Sequence, residues 1–275
     1  MRLQKQKIKI GIVGCGAIGS GIARSIVKDF KKNCLLTALF DIDQEKSSQL
    51  AKKLSSNRIT KSSLSETIKK CDLMVESVNA ENTHRIILEA VKGKRNVLAM
   101  SVGKLLNADS LFRLAQRNNC TILLPSGAIA GIDAIKAASL VKIHKITLTT
   151  RKPPSSFLNN AYIMKKGVDL EKLKKETILF EGDVDTAVEC FPQNVNVAAT
   201  LALASHAKEK IFVRILTSPT YTTNTHEIEM EGEFGRLYTR TENVVSPDNP
   251  KTSYLAVLSG IQTLKQFCEG IMVGT

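Results

Sequence analysis

Aromatic residues are scarce in this chain of 275 residues: tryptophan is absent, and tyrosine and phenylalanine number only four and nine. The formal net charge is +13, a balance that is typical of some nucleic-acid-binding proteins. However, the lysines are spread along the chain, with only short clusters such as Lys5–Lys9 and Lys172–Lys175, and no nucleic-acid module motif is present. We therefore expect no nucleic-acid partner. A basic surface would instead favour the arrival of an anionic cofactor and substrate.

Long apolar runs are missing as well. No uncharged apolar stretch approaches the roughly 18 residues that a membrane-spanning helix needs. Lys5, Lys7 and Lys9 interrupt the apolar region that a signal peptide would require near residue 1. The sequence therefore predicts no membrane partner and a cytoplasmic location.

Recognisable metal and hydrolase motifs are also absent. The six cysteines form no C-x-x-C pair or other ligand spacing, so we expect no metal site and reduced, mostly buried thiols (Cys15, Cys34, Cys71, Cys120, Cys190 and Cys268). The sequence contains neither G-x-S-x-G nor H-E-x-x-H, and no serine–histidine–aspartate order stands out.

A glycine-rich turn is the most informative feature that is present. Gly14, Gly16 and Gly19 have the G-x-G-x-x-G spacing, between an apolar strand and a helix with isoleucines at helical intervals. In such a turn the first glycine permits a tight bend, the second lets the backbone approach a pyrophosphate, and the third lets the helix pack on the strand. Ala17 and Ile18 open the helix, whose N–H groups face the phosphates. We predict a dinucleotide site here; the alternative is a structural glycine turn.

An acidic residue follows at the expected distance. The apolar segment Leu35–Phe40 predicts a second strand, and Asp41 comes directly after it, about 20 residues beyond the last glycine. A carboxylate there accepts hydrogen bonds from the ribose hydroxyls and repels a 2′-phosphate. We therefore predict NAD as the cofactor. Lys46 lies close to Asp41 in sequence, and its positive charge would weaken this preference. We therefore expect NADP to be tolerated.

Apolar strands and amphipathic helices alternate up to about residue 126. This order predicts right-handed crossovers and a Rossmann-type, doubly wound parallel sheet in an α/β domain covering residues 1–126. Ligands bind such sheets beyond the carboxyl ends of the strands. The glycine turn and Asp41 would therefore share one crevice with the segments Ser77–Ala80, Ser101–Gly103 and Pro125–Ala128.

The pattern changes in the second half of the chain. Strand-like segments with only two clear helical stretches predict an α+β substrate and dimerisation domain over residues 127–250, with a largely antiparallel or mixed sheet. A final apolar helix over 253–267 would return to pack on the first domain. The cofactor's nicotinamide would reach the cleft between the two domains.

One of the four histidines has a suggestive position. His226 begins a predicted strand on its apolar side, together with Ile228 and Met230, whereas Glu227 and Glu229 share the other side. There an imidazole could reach a cleft and exchange a proton near neutral pH. The alternative is a core histidine that is hydrogen-bonded to a backbone carbonyl, and the pattern alone favours it.

Several other polar residues could hold an anionic substrate or cofactor. Arg151 and Lys152 end a predicted strand, and Lys251 follows an Asn-Pro pair. Asn194 and Asn196 precede an apolar helix, where Asn196 could equally be an N-cap. Sequence spacing alone does not show whether these residues bind an anion or simply face water.

Taken together, the motifs resemble the L-aspartate dehydrogenase family. The matching stretches follow the family's order over nearly the whole chain: Gly11–Gly19, Met100–Gly103, Leu124–Gly131, Thr150–Pro153, Phe191–Thr200, Asn224–Glu227 and Asn249–Ser253. The resemblance implies NAD(P) contacts from Ala128 and Asn196 and an active-site role for His226. Arg151, Lys152, Asn194 and Lys251 are then candidates to bind the substrate's two carboxylates.

The resemblance implies a reversible oxidation of L-aspartate to iminoaspartate, which hydrolyses to oxaloacetate and ammonia and could feed NAD biosynthesis. A homodimer is expected. Two alternatives stay open. One is another two-domain NAD(P)-dependent reductase of a small acid, aldehyde or cyclic imine. The other is a non-catalytic NAD(P)-sensing protein, because a fold does not determine a function.

Overall fold

The structure, a computed structural model, describes residues 6–55, 59–78, 81–192, 196–247 and 249–274. It divides into two compact units. The first comprises Met1–Pro125 and Val257–Met272, and the second comprises Ser126–Ala256 and Val273–Thr275. The domain limits that the sequence predicts, 1–126 and 127–250, remain a prediction.

The first unit is built on a six-stranded parallel sheet in the order β3-β2-β1-β4-β5-β6. This is the strand order of a doubly wound dinucleotide-binding fold, so the predicted architecture is confirmed. The strands are β1 (Ile8–Val13), β2 (Cys34–Phe40), β3 (Thr60–Lys61), β4 (Leu73–Glu76), β5 (Asn96–Ala99) and β6 (Ile122–Leu123). The helices are α1 (Ala17–Lys28), α2 (Gln44–Leu54), α3 (Leu64–Lys70), α4 (Thr83–Lys92), α5 (Asp109–Arg117) and α10 (Tyr254–Glu269).

Helices cover both faces of this sheet, which is why its strands read as nearly continuous apolar runs. Alternate strand residues belong to two different apolar clusters. One cluster contains Ile10, Ile12, Ile22, Ile26, Leu98 and Leu264. The other contains Val13, Met74, Ile87, Val97 and Leu111.

The cysteine prediction is wrong in one respect. Cys34, at the start of β2, and Cys268, in α10, form a disulfide across a sequence separation of 234 residues. Because α10 packs beside β2 only in the folded chain, no local spacing reveals this pair. The other four cysteines are free thiols, and burial raises the pKa of Cys71 to about 11.

The second unit contains a mixed five-stranded sheet in the order β11-β10-β7-β9-β8, as expected for its α+β pattern. Strands β7 and β9 are parallel, and the other neighbours are antiparallel. The strands are β7 (Ile143–Lys152), β8 (Thr177–Gly182), β9 (Ile211–Thr217), β10 (Asn224–Gly232) and β11 (Gly235–Asn243), with a separate pair β12 (Val245–Ser246) and β13 (Asn249–Ser253). The helices are α6 (Ile132–Ala138), α7 (Ala161–Lys165), α8 (Val184–Cys190) and α9 (Asn196–Ser205).

Short 3-10 turns connect some of these elements, at Val102–Leu105, Pro154–Phe157 and Lys208–Lys210. Within the described ranges, no helix has the length and apolar character needed to cross a membrane. The same residues contain no group of three histidine, cysteine, aspartate or glutamate side chains that could hold a metal ion.

Candidate active site

The glycine turn of the first unit has the geometry that its sequence predicts. Gly14 has a φ of +95°, and a Cβ there would lie 2.6 Å from the carbonyl oxygen of Ser77. A Cβ at Gly19 would overlap the carbonyl oxygen of Gly14. At Gly16, in contrast, the described residues other than its chain neighbours place no atom within 4 Å of the Cβ position. Local packing therefore explains Gly14 and Gly19, whereas Gly16 borders open space that a ligand can approach.

Among the residues that the structure describes, no side chain caps the N-terminus of helix α1. Asp43 and Ser63 cap α2 and α3, but Gly16 provides no side-chain cap, and the first turn of α1 has no acidic residue. The first hydrogen bond of α1 runs from the Ser20 N–H to the Gly16 carbonyl at 2.8 Å. The N–H groups of Ala17 and Ile18 precede this bond, at the N-terminal end of the helix. These groups and the positive end of the helix dipole fit a pyrophosphate.

The carboxylate of Asp41 lies against the same turn. Its Oδ2 accepts a hydrogen bond from the Cys15 N–H at 2.7 Å, and its Oδ1 accepts one from the Asp43 N–H at 2.9 Å. Burial and the charge of Asp41 raise the pKa of the Cys15 thiol to about 12, so this cysteine stays a neutral thiol. The turn therefore places N–H groups that suit a phosphate next to a carboxylate, an arrangement that suits a dinucleotide.

Sequence reasoning missed a buried carboxylate beside this turn. Glu76, the last residue of β4, is fully buried and accepts hydrogen bonds from the Val78 N–H, the Thr83 hydroxyl, and both the N–H and the hydroxyl of Ser101. Burial raises the pKa of Glu76, although the hydrogen bonds oppose that shift. Glu76 thus joins the segments that follow β4 and β5. In the sequence, the signal that could have identified Glu76 is a single glutamate at the end of an apolar strand.

His226 is buried in the second unit, with a relative exposure of 2%. It pairs with Thr150 across β10 and β7, and its Nδ1 lies 3.0 Å from the Thr150 hydroxyl. The direction of this bond depends on the tautomer. Burial, assisted by the charge of Lys152, lowers the pKa of His226 to about 3. The expectation that this imidazole titrates near neutral pH is therefore wrong for the protein without ligands, because burial favours the neutral ring.

Lys152 lies close to this histidine. It is the last residue of β7, two residues after Thr150 and on the same face, and its relative exposure is 8%. Burial lowers its pKa to about 8. The Thr217 hydroxyl donates to the Lys152 carbonyl at 2.8 Å. Thr150, Lys152 and His226 therefore form one buried group, the histidine–lysine cluster.

Ala128 is held beside the same end of the sheet. Its carbonyl accepts hydrogen bonds from the Asn243 side-chain amide at 3.0 Å and from the Thr241 hydroxyl at 2.9 Å. Thr241 is the β11 residue that pairs with His226. The structure thus brings Ala128 and His226 together through Thr241 and Asn243, two residues that the sequence analysis did not select.

Arg151 is separated from His226. It points to the opposite face of β7, where its guanidinium contacts Glu227 and lies 3.2 Å from Glu176. Glu227 also contacts Arg240 at 2.8 Å. Arg151 is therefore part of an ion-pair network and not of the histidine–lysine cluster.

The remaining candidates are only partly placed. Asn196 is the first residue of α9. Lys251 lies in β13, but its side chain is outside what the structure describes. Asn194 lies outside the described residues altogether.

The nucleotide-binding fold, its glycine turn and a second unit with a buried polar cluster define a dinucleotide-dependent oxidoreductase. Two family models divide the chain between them: "Homoserine dehydrogenase, NAD binding domain" matches residues 14–125, and "Aspartate dehydrogenase, C-terminal" matches residues 133–267. The L-aspartate dehydrogenase of Methanosarcina mazei is 45% identical over 271 residues, covering 98% of this chain and 100% of the relative. The chain belongs to the L-aspartate dehydrogenase family.

Two further comparisons agree with this result. The L-aspartate dehydrogenase of Methanococcus maripaludis strain C6 is 38% identical over 272 residues, which cover 98% of this chain and 100% of the relative. A crystal structure of aspartate dehydrogenase from Thermotoga maritima matches with a TM-score of 0.72 at 22% identity, covering 98% of this chain and 100% of that chain. The latter comparison shows a shared fold.

Proposed function

We propose that this protein oxidises L-aspartate with NAD(P), giving oxaloacetate and ammonium by way of iminoaspartate. The observation that carries the proposal is the histidine–lysine cluster, which lies in the half of the chain that matches the aspartate dehydrogenase C-terminal family. Overall, L-aspartate, NAD⁺ and water give oxaloacetate, ammonium, NADH and a proton. NAD(P), when bound, accepts the hydride from the substrate's α-carbon.

The chain's own residues would hold that cofactor at the glycine turn. The N–H groups of Ala17 and Ile18 and the open backbone at Gly16 would receive the pyrophosphate, and Asp41 would accept from the ribose hydroxyls. Because the carboxylate repels a 2′-phosphate, we propose NAD as the preferred cofactor, with NADP tolerated. Ala128 and Asn196 are proposed as further cofactor contacts.

His226 is proposed as the active-site histidine. As a neutral imidazole it can donate a hydrogen bond from one ring nitrogen and accept one at the other. In this role it would orient the substrate's amino nitrogen or the water that attacks the imine. Thr150, which occupies Nδ1, would hold the ring in place.

The substrate's carboxylates require cations or amide donors. We propose Asn194 and Lys251 for this task. Arg151 was a further candidate, but two glutamates occupy its guanidinium on the opposite face of the sheet. Arg151 is therefore not available to bind a substrate carboxylate.

Assembly and location are proposed as a homodimer in the cytoplasm, without a membrane partner. The edge strand β11 supports self-association, because an unpaired strand edge can pair with another chain. It also exposes Tyr238, at 59% relative exposure. Light scattering coupled to size-exclusion chromatography measures the number of chains directly.

The test of the activity is NADH absorbance with L-aspartate and NAD, and its disappearance with oxaloacetate, ammonium and NADH. A panel of other amino and hydroxy acids is the specificity control. Turnover of L-aspartate above the rest of the panel is the expected result. Cofactor binding without turnover of any panel member would indicate a sensor. Turnover of a different acid would indicate another reductase.

A further inference from the structure

The histidine–lysine cluster contains an amino group that burial makes chemically unusual. Lysine side chains are rarely buried, yet Lys152 is 8% exposed and shares its sheet face with Thr150, which contacts His226. Its charge also acts on the imidazole directly. Lys152 therefore lies in the immediate surroundings of the proposed active-site histidine, although the two are 74 residues apart in sequence.

The proposed reaction requires a base at two points. The α-ammonium of L-aspartate must lose a proton before the hydride leaves, because the nitrogen lone pair forms the new C=N bond. Water that attacks the imine carbon must also lose a proton. A positioned base with a pKa near the working pH serves such steps best.

We propose that the neutral Nζ of Lys152 is this general base, with His226 as the neutral group that positions the reacting nitrogen and water. This inference rests on the function proposed above. Nζ would take one proton from the α-ammonium, which frees the nitrogen lone pair to form the C=N bond of protonated iminoaspartate. NAD(P), held at the glycine turn, would supply the hydride acceptor for the α-carbon. After Nζ has returned its proton to solvent, it takes a proton from water as the C–O bond forms. Nζ gives that proton to the amino nitrogen as the C–N bond breaks, and the hydroxyl proton leaves to solvent.

Within the part of the chain that the structure describes, the charged groups on the elements next to Lys152 favour this division of roles. Burial lowers the pKa of Lys152 to about 8 and that of His226 to about 3, so only the lysine exchanges protons at neutral to mildly alkaline pH. From β10 the titratable group that faces it is His226. On β7 and β9, the cations Arg151 and Arg214 lie on the other face and pair with glutamates. The following segment Pro154–Phe157 and helix α9 contain no charged residue.

A different role for Lys152, as a fixed cation that binds a substrate carboxylate, makes distinct predictions. Lys152→Arg keeps the positive charge but cannot lose a proton at working pH, whereas Lys152→Met keeps the length and removes the ionisable group. Lys145→Met is the matched control, because Lys145 lies on the same strand and is exposed. The measurement is kcat and KM for L-aspartate oxidation as a function of pH.

If Lys152 is the base, wild-type kcat rises with pH through a pKa near 8. Both Lys152 variants should lower kcat by about 10²–10⁴-fold and should lose this pH dependence, and Lys145→Met should resemble the wild type. Two results overturn the inference. The first is that kcat of Lys152→Met still rises with pH as in the wild type. The second is that Lys152→Met raises KM without changing kcat, and that Lys152→Arg has the KM of the wild type. The second result identifies a carboxylate-binding cation.

A direct titration separates this inference from the proposed function. In protein labelled with ¹³C at lysine Cε, the signal that is missing from Lys152→Arg should titrate near pH 8, whether or not substrate is turned over. Titration near the ordinary lysine value of about 10.4 overturns the inference even if the enzyme is active. If the wild type oxidises no L-aspartate, the proposed function fails, and the role of Lys152 in that reaction fails with it.

Discussion

Replacing Lys152 with methionine should stabilise the folded protein although it lowers the enzyme's activity. Burial lowers the pKa of Lys152 from 10.5 to about 8, so between these values the unfolded chain binds more protons than the folded one. The free energy of unfolding therefore rises with pH in this window, and below it the folded state bears the full penalty. At about 1.36 kcal/mol per pKa unit, the penalty is roughly 3 kcal/mol near pH 7.

The chain offers a convenient probe for this measurement. It has no tryptophan and four tyrosines, and all four lie in the second unit, which also contains Lys152 (Tyr162, Tyr221, Tyr238 and Tyr254). Tyrosine fluorescence during urea unfolding therefore follows this unit selectively. We expect Lys152→Met to raise its free energy of unfolding by about 3 kcal/mol near pH 7 and by only about 1 kcal/mol near pH 9.5.

The pH dependence of this difference is the decisive quantity. Lys145→Met, on the exposed part of the same strand, should stay within about 0.5 kcal/mol of the wild type at both pH values. A Lys152→Met protein that is no more stable than the wild type near pH 7 would refute the reasoning. An equal difference at both pH values would refute it as well, because packing and not charge would then explain the effect.

Three further substitutions test the rest of the site. Gly16→Val should abolish NAD binding in calorimetric titration while circular dichroism stays native, since a side chain there enters open space that the pyrophosphate needs; near-wild-type affinity would make the turn purely structural. Asp41→Ala should reduce the preference of kcat/KM for NAD over NADP, and a wild-type preference for NADP would contradict the role of the carboxylate. His226→Ala should lower kcat by about 10²–10³-fold, as expected for the loss of one preorganised hydrogen-bonding group, with little change in cofactor affinity. If His226→Ala is as active as the wild type but unfolds more easily, His226 is a core residue.

The first unit could be predicted closely because its signals are local. The glycine spacing, the isoleucines of β1 and α1, and the position of Asp41 each depend on neighbours within one β-α-β unit. The very short strand β3 and the short helices α6 and α7 were missed, since two to seven residues contain too little periodicity to stand out.

Long-range pairs could not be predicted from such signals. Cys34 and Cys268 are joined across 234 residues of sequence, and only the packing of α10 beside β2 brings them together. Glu76 is similar: its role depends on Ser101, which follows a different strand. In both cases the sequence contains the residues, but the partners are determined by tertiary structure.

The different surroundings of Arg151 and Lys152 on β7 also depend on long-range pairing that the sequence did not reveal. Alternation along a strand correctly predicts that His226 and Glu227 point to opposite faces, but it does not predict the register between β7 and β10. That register pairs His226 with Thr150 and puts Lys152 on the face of His226, while it directs Arg151 to Glu227. Two adjacent cations that are equivalent in sequence therefore differ in chemistry. Arg151 is neutralised by acidic partners, whereas Lys152 is buried beside a neutral imidazole and has its pKa lowered towards the range in which an amine can act as a base.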